Sequence, residues 1–346
     1  MRVILIVIIY LSVGSTVIAS PLVLKTSTSK NPPPRIIRTC CSFGSEVRVT
    51  GIPFLKVSDI SSLGRLGKHV YLGNSEENNG IIYTKKGGFI DLGHLRDQAD
   101  WTAYLYQQIQ IAGSKKIEIK LGREGGQKKL EIWANSLETP IDKILLAGKI
   151  AYDLSVWHEI ATFYGASYVP LLPEKYSAFS LEDAYSNLLG VEIGMAALES
   201  PLPFEEAVTF LLKEKLYELG AVRSIEDTFN AMEQVRDVWW TRAAKLPSKN
   251  ILLQREFDIE NCLEPWLISD IKHVGITDYA ICPPKYTFSG ESLQDYYLFS
   301  IQLNMKFPVK KLLSKEVNRV INQKDFSLLI QEAKRKTDIQ KDYLGL

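Results

Sequence analysis

The stretch IDKILLAGKIAYDLSVWHEIATFYG, residues 141–165, constrains the fold more than any other part of this chain. Apolar side chains occur nearly all round the predicted helix, and a helix of that kind is expected to be buried. Gly165 is a residue type that commonly ends a helix. The helix also carries His158 and Glu159, which in a buried setting must be paired, bound to a metal or shifted in pKa.

The rest of the pattern predicts the fold class. Residues 116–133 favour a β-hairpin, because KKIEIKL and KKLEIWA alternate in polarity and GREGGQ joins them. We predict an α+β fold with a mainly helical central layer, short N-terminal strands, that hairpin, and a C-terminal extended segment followed by two helices. The predicted helices are 91–112, 141–165, 181–199, 204–219, 225–244, 309–322 and 325–340. The predicted strands are EVRVTGI, HVYLG and GIIYT within residues 45–90, and ILLQREFDI and YYLFSIQLNM within residues 250–305.

The N-terminus has the layout of a secretory signal peptide. Arg2 precedes an apolar run of roughly a dozen residues, shorter than the roughly 20 needed to span a bilayer, and small residues follow at Ala19 and Ser20. We predict a signal peptide at 1–19, a Pro/Ser/Thr-rich linker at 20–38 and a single α+β domain at 39–346. The expected location is the periplasm or the extracellular space, with an uncleaved N-terminal membrane anchor as the alternative.

Charge and cysteine content narrow the function classes. The chain has 41 basic and 40 acidic residues, so no general affinity for nucleic acid is expected. In an exported protein, the four cysteines Cys40, Cys41, Cys262 and Cys282 suggest one or two disulfides. Adjacent cysteines rarely bond to each other. One hypothesis is that one or both of Cys40 and Cys41 pair with Cys262 or Cys282, which would join the N-terminal segment to the C-terminal half.

A dense set of ionisable residues occurs in GGFIDLGHLRDQADW, residues 87–101. Asp91 and His94 are spaced i, i+3 at the start of a predicted helix, so a carboxylate oxygen and an imidazole nitrogen can converge on one metal ion. Arg96 and Asp100 are spaced i, i+4 and are expected to form an ion pair on a different face. The alternative interpretation is an ordinary helix start with an N-cap aspartate and surface ion pairs.

Further ligand candidates come from two other helices. His158-Glu159 begins the zinc-protease pattern His-Glu-x-x-His, but Thr162 stands where the second histidine belongs, so the standard motif is excluded. A structural His-Glu pair is the alternative. Glu182 or Asp183, at the start of the 181–199 helix, is a candidate further ligand or an acceptor for a histidine N–H.

Several of these segments together resemble a known family. RTCCSFG, LGKHVYLG, GIIYTKKGGFIDLGHLRDQADWTAYL, YDLSVWHEIATFYG and FSLEDAYSNLLG are similar to motifs of secreted proteobacterial proteins classed as a domain of unknown function. The resemblance implies that these segments form one unit, and it implies no particular reaction. It also places Cys40 and Cys41 at motif positions, which favours a thiol role or a fixed disulfide.

Three functions follow as hypotheses. The first is a metal-dependent hydrolase acting on a cell-envelope substrate. In it Asp91, His94, His158 and Glu182 hold a divalent ion such as zinc, Glu159 is the general base, and Arg96 binds an anionic group. The second is a cysteine-dependent hydrolase or acyltransferase with Cys41 or Cys40 as nucleophile and His94 or His158 as base. The third is a non-enzymatic envelope protein that binds a partner or a lipid, with a buried polar network that only fixes helix packing.

Overall fold

The fold is seen in a computed structural model. It describes residues 31–34, 36–38, 43–44, 59–113, 115–134, 137, 139–166, 174–242, 251–268, 278–305, 307 and 319–344. The predicted signal peptide, the predicted strand EVRVTGI, Cys40 and Cys41 lie outside these residues. Within them, no helix combines the length and the apolar character needed to cross a bilayer.

In the described part of the chain, six α-helices account for most of the regular structure, and with three small antiparallel sheets they confirm the α+β class. Thr139 and Ser180 begin the second and third helices as N-caps, because each hydroxyl accepts the N–H three residues on. The helices are α1 (Leu92–Ala112), α2 (Pro140–Phe163), α3 (Leu181–Glu199), α4 (Phe204–Glu218), α5 (Ile225–Gln234) and α6 (Phe326–Leu344).

The largest sheet has four strands in the order β3-β4-β7-β8. Strands β3 (Ile117–Arg123) and β4 (Gly126–Ile132) form the predicted hairpin, while β7 (Tyr297–Leu303) and β8 (Val320–Asn322) add C-terminal chain to its edge. A two-stranded hairpin of β1 (Ile81–Thr84) and β2 (Gly88–Asp91) leads directly into α1. Strands β5 (Trp240–Thr241) and β6 (Ile251–Leu252) form a short separate pair.

Helices α1, α2 and α3 pack together and form the centre of the main core. Two glycines let α3 approach α1 closely. A Cβ at Gly190 would lie 2.1 Å from the Leu95 carbonyl oxygen, and one at Gly194 would lie 2.9 Å from the Ala99 Cα. Because α2 is buried along most of its length, as its apolar pattern predicts, its polar residues depend on partners from neighbouring elements.

Residues HVYLG do not form the predicted strand. The backbone N–H groups of His69, Val70, Tyr71 and Leu72 all donate to side chains, namely to Thr209 Oγ1 and to carboxylates of Glu77, Glu205 and Asp100. Donors used in this way are not available to a strand ladder. The alternating apolar residues therefore belong to an irregular segment held by long-range polar contacts.

Two helix predictions extend too far. Helix α5 ends at Gln234 rather than at residue 244. Just after this end, Asp237 takes a left-handed conformation with φ of +63°, and Trp240 Nε1 donates to Met232 O. Residues 320–322 form strand β8, so the predicted helix 309–322 is wrong at its end, and most of it lies outside the described residues. ILLQREFDI is also wrong as a long strand, because only Ile251–Leu252 pairs.

The prediction that Cys262 or Cys282 forms a disulfide with an N-terminal cysteine is wrong. These two cysteines bond to each other. Their flanking residues explain why, because Leu263 and Ile281 form a two-way backbone bridge with N–H to O distances of 2.7 and 2.9 Å. The disulfide therefore closes a local loop of the C-terminal half.

Candidate metal centre and pocket

The candidate site lies where the starts of α1 and α3 meet. Asp91, the last residue of β2, is the N-cap of α1, and its Oδ1 accepts the N–H groups of Gly93 at 2.7 Å and His94 at 3.0 Å. Its own N–H donates to Ser186 Oγ on α3 at 2.8 Å. The cap therefore fixes the first turn of α1 against α3, and it holds the Asp91 carboxylate fully buried.

His94 lies between two side chains of α3. Its Nδ1 is 3.2 Å from the amide oxygen of Asn187, and its Nε2 is 3.6 Å from Asp183 Oδ1. Because an amide oxygen only accepts hydrogen bonds, the Asn187 contact assigns the ring proton to Nδ1. This tautomer directs the unprotonated Nε2 at a carboxylate, which is the orientation found when a second contact positions a metal-binding histidine.

The Asp183 carboxylate is buried without full hydrogen bonding. It is 2% exposed, and its Oδ1 has no hydrogen-bond partner among the described residues. Burial raises the pKa of Asp183 to about 7; interaction with the His94 imidazole opposes this shift, while Asp91 and Glu159 add to it. Such an oxygen, facing an imidazole nitrogen, requires either a proton or a cation beside it.

Asp91, His94 and Asp183 together form a buried group that could bind a metal ion. One ligand atom from each residue lies within 4.8 Å of the other two. The spacing of Asp91 and His94 thus brings their side chains to one point, as the sequence indicates. The third member is Asp183 rather than its neighbour Glu182. One nitrogen and two oxygen donors suit zinc and other divalent transition metals.

His158, on α2, approaches the same place from the other side of the pocket. Its ring centroid is 6.1 Å from that of His94. Its Nδ1 is 2.7 Å from Glu124 Oε1, and Lys128 Nζ donates to Glu124 Oε2 at 2.7 Å. A carboxylate in contact with one ring nitrogen orients the imidazole and favours a proton on that nitrogen.

Glu124 and Lys128 were not singled out from the sequence. Glu124 stands in the turn of the β3–β4 hairpin, where a charged residue ordinarily faces water, yet it is 3% exposed. Its carbonyl oxygen also accepts the indole N–H of Trp157 at 3.0 Å. The only sequence signal was a glutamate and a lysine four residues apart at the end of a plain hairpin.

A pocket opens between the two histidines, with an empty volume of about 520 Å³ that includes part of its open mouth. Trp101 and Leu154 form an apolar wall of this pocket, and Ile36 and Arg38 from the N-terminal segment line another side. Its polar lining includes His94, Glu124, Lys128, Ser155, His158 and Asn187. Both imidazoles reach this space, since the side chains of His94 and His158 are 11% and 19% exposed.

Glu159, the predicted general base, does not line this pocket. Its carboxylate Oε2 accepts the backbone N–H of Phe179 at 2.6 Å, at a residue held in the left-handed region with φ of +58°. Arg255, whose pKa burial lowers to about 10 against the opposing charge of Glu159, donates to the nearby Ala178 carbonyl. Among the described residues that line the pocket, Glu159 is absent. The structure therefore places it as a support for the turn that leads into α3.

Arg96 is also committed to other contacts. Its guanidinium donates to Gly67 O at 2.7 Å, Glu77 O at 2.9 Å and Asn79 Oδ1 at 3.0 Å, and it is fully buried. The expected ion pair with Asp100 is wrong. Asp100 instead accepts from Arg38 at 2.8 Å and lies 3.0 Å from the His69 ring. Arg96 therefore ties the 67–79 loop to α1 and does not line the pocket.

Glu182 and His69 are not members of the group formed by Asp91, His94 and Asp183. Glu182 lines a second pocket, with Phe89 and Trp239 among its neighbours. His69, buried between Asp100 and Glu77, belongs to the charge network of the N-terminal segment. Cys41 lies outside the described residues.

Comparison with known proteins gives a family. The family model described as "Protein of unknown function (DUF4056)" matches residues 28–269. The chain belongs to the DUF4056 family. The match includes every residue of the candidate metal centre, together with His158, Glu124 and Lys128. No curated protein and no solved structure shows significant similarity to this DUF4056 member.

Proposed function

We propose that this protein is a metal-dependent hydrolase, with Asp91, His94 and Asp183 as ligands of a divalent ion such as zinc. The observation that carries the proposal is the approach of His94 Nε2 to the Asp183 Oδ1 atom, at 3.6 Å, where that oxygen lacks a hydrogen-bond partner among the described residues. Two acceptor atoms at this distance are stabilised by a cation between them. Two ligands at about 2.1 Å from a tetrahedral ion are about 3.4 Å apart, close to the observed separation.

The neighbouring residues support hydrolysis. A bound divalent ion would lower the pKa of a water molecule to about 7 and supply a nucleophile. His158 would act as general base, because Glu124 occupies its Nδ1 and leaves Nε2 as the proton-accepting atom of that tautomer. Asn187 would hold the His94 ring in its binding orientation. This assignment gives Glu124 the orienting role and removes Glu159 and Arg96 from the chemistry.

The substrate is proposed to lie in the cell envelope. The apolar N-terminal run supports export, and the Cys262–Cys282 disulfide is of a kind that persists in oxidising compartments. The pocket offers Lys128 and Ser155 beside the imidazoles as polar contacts for a substrate.

Metal binding by protein purified without a histidine tag tests the proposal. Equilibrium dialysis against zinc or manganese, followed by elemental analysis, should give about one ion per chain. Asp183→Asn should reduce metal affinity at least tenfold, as loss of a direct ligand does, while Asp338→Asn on the exposed face of α6 should leave it unchanged. Absence of stoichiometric metal, or equal binding by Asp183→Asn, would overturn the proposal.

Turnover is measured separately, on chromogenic carboxylic and phosphate esters and on peptides. Chelator should abolish hydrolysis, and added metal should restore it. A polar network that only fixes helix packing makes the opposite prediction: Asp183→Asn lowers the melting temperature and no metal binds to the wild type. The two functions are therefore distinguished by one set of samples.

A further inference from the structure

A turn at residues 286–292 presents two aromatic side chains to solvent. Phe288 is 87% exposed and Tyr286 is 61% exposed, while Thr287 between them is buried. This alternation places both rings on the outward side of the turn. Among the described residues, Phe288 is the most exposed of the large hydrophobic side chains. The two rings therefore form an apolar projection from the surface.

Hydrogen bonds fix the backbone of this turn. Thr287 N–H donates to Glu291 O at 2.8 Å, and Gly290 N–H donates to Thr287 O at 3.0 Å. The Phe288 N–H donates to Asp142 Oδ1 at 2.7 Å, which joins the turn to the first turn of α2. Because the backbone is held in this way, folding leaves the rings in water. Such exposed apolar area favours contact with another surface.

Ile111 adds a third apolar side chain at the same end of the molecule. It is 70% exposed in the last turn of α1. Lys116, which follows α1, lies 5.5 Å from the Trp133 ring centre, and Trp133 Nε1 donates to the Asp295 carbonyl just beyond the turn. These contacts tie the end of α1 to the segment that carries Phe288. The exposed apolar side chains are thus grouped at one end rather than scattered.

Positive charge accompanies these side chains. Three lysines of the same segments form no ion pair with a described residue: Lys115, Lys143 and Lys285. Of the nearby acids, Asp142 accepts the Phe288 N–H and Glu291 accepts the Tyr296 hydroxyl, so Asp295 is left as an exposed acid. The unpaired charge at this end is therefore mainly positive.

We propose that this end of the molecule binds the surface of a lipid bilayer that contains anionic lipids, with Phe288 and Tyr286 inserted among the headgroups. Aromatic side chains favour the membrane–water interface, and lysines near it are attracted to anionic headgroups. A second copy of the chain fits this surface less well. A standard protein interface buries about 800 Å² per partner, whereas two aromatic side chains supply about 150–250 Å² each.

Binding by this end sets the orientation of the pocket. Asp142 is at the start of α2 and His158 is near its end, about 24 Å away along the helix. The pocket would then lie on the aqueous side, away from the bilayer. The inference uses none of the residues assigned to metal binding, so its test gives the same result with and without chelator.

A local probe at position 288 tests the proposal on the full-length chain. Phe288→Trp is mixed with vesicles of equal parts phosphatidylcholine and phosphatidylglycerol, with or without bromine on the acyl chains. Bromine quenches tryptophan on contact, so the fluorescence that Phe288→Trp adds to wild type should be quenched. The fluorescence that Phe210→Trp adds should not be, since Phe210 is exposed on α4. Absence of quenching at position 288 would overturn the proposal.

The same readout tests the contribution of charge. In the Phe288→Trp background, Lys285→Gln should raise the vesicle concentration needed for half-maximal quenching about fivefold, because one lysine near an anionic surface contributes about that factor. Lys213→Gln on the exposed face of α4 is the control and should have no effect. On pure phosphatidylcholine the three proteins should agree. An equal requirement for anionic vesicles in all three would overturn the assignment to anionic lipid.

Sedimentation equilibrium without vesicles tests the second copy as the occupant. Wild type and Phe288→Ser should have the same molar mass. The melting temperature should also agree, because the side chain is exposed in the folded protein. A wild-type dimer that Phe288→Ser abolishes would assign this surface to self-association and overturn the proposal.

Discussion

At the scale of single residues, Arg38 shows how one buried charge organises its surroundings. Its guanidinium donates to Glu77 at 2.6 and 2.7 Å, to Asp100 at 2.8 Å and to Asp97 at 3.0 Å. Burial alone would raise the pKa of Glu77, but hydrogen bonds and charge from Arg38, with help from Asn79, lower it to about 2. The ionised form of Glu77 is therefore stabilised in the folded state.

Glu77→Gln tests this with a defined pH dependence. Because the folded pKa lies below the ordinary value, the stabilisation is present above about pH 4.5 and is lost as the pH falls towards 2. At pH 7 the free energy of unfolding of the variant should be about 3 kcal/mol lower than that of the wild type. Urea denaturation at pH 7, 5 and 3 should show the difference shrinking. The exposed neighbour variant Glu76→Gln should show none, and a pH-independent loss in Glu77→Gln would contradict the explanation.

His158 and His94 have different predicted roles, so variants of the two residues should differ in metal content. His158→Gln should retain metal and lose hydrolysis by roughly 10²- to 10⁴-fold, the usual effect of removing a general base. His94→Gln should lose the metal itself. Elemental analysis and turnover on the same preparations provide the measurement. Loss of metal in His158→Gln would instead make that residue a ligand.

At the scale of elements, the close crossing of α1 and α3 positions the site, because it brings Asp91 and His94 to Asp183. The crossing depends on Gly190 and Gly194, which are four residues apart and face α1. Such spacing allows close backbone approach of helices. A side chain at Gly190 would displace the backbone of α1 and, with it, the ligands.

Gly190→Ala should therefore lower the free energy of unfolding by about 3 kcal/mol and weaken metal binding. The comparison variant is Gly148→Ala on α2, where the added Cβ meets side chains rather than backbone, namely Met195 Sδ at 2.5 Å and Val191 Cγ1 at 3.1 Å. That variant should lose less free energy of unfolding than Gly190→Ala, because Met195 can change its rotamer and alanine favours the helix more than glycine does. Thermal denaturation compares the two, and equal stability of both variants would show that the crossing tolerates a wider separation.

The sequence predicted the long elements better than the short ones. The pattern of α1, α2 and α3 and the alternation in the β3–β4 hairpin are local signals, and the structure confirms them. The segment after Gln234 was predicted as the continuation of a helix, but Trp239 and Trp240 pack into a separate cluster instead. The strand prediction for HVYLG was wrong because backbone N–H groups of this segment donate to carboxylates of other segments. Both failures arise from long-range contacts that no local pattern contains.

At the scale of the whole molecule, the pocket is assembled from parts of the chain that are far apart in sequence. The candidate metal group joins α1 to α3, the contact between His158 and Glu124 joins α2 to the hairpin turn, and the N-terminal Ile36 and Arg38 complete the wall. Local spacing was enough to propose Asp91 with His94. It was not enough to choose between the adjacent residues Glu182 and Asp183, of which Asp183 joins Asp91 and His94 while Glu182 lines the second pocket.

The disulfide gives a prediction at this scale. The Cys262–Cys282 bond closes a loop with a sequence separation of 20. Cys282→Ser should lower the free energy of unfolding by about 3 kcal/mol through the greater freedom of the unfolded chain. The double variant with Cys262→Ser should lose no more than either single one, as measured by denaturation with and without reductant. A larger loss in the double variant would show that the thiols also pack.

The attachment of Ile36–Arg38 has a practical consequence for truncated proteins. An expression clone that starts at residue 59 keeps α1, α2 and α3 but omits the guanidinium that balances Glu77, Asp97 and Asp100. Three acids would then face one another without that neutralising group, and the cleft beside His94 would gain a second mouth. Negative assays on such a clone would report damage from trimming rather than the behaviour of the intact protein.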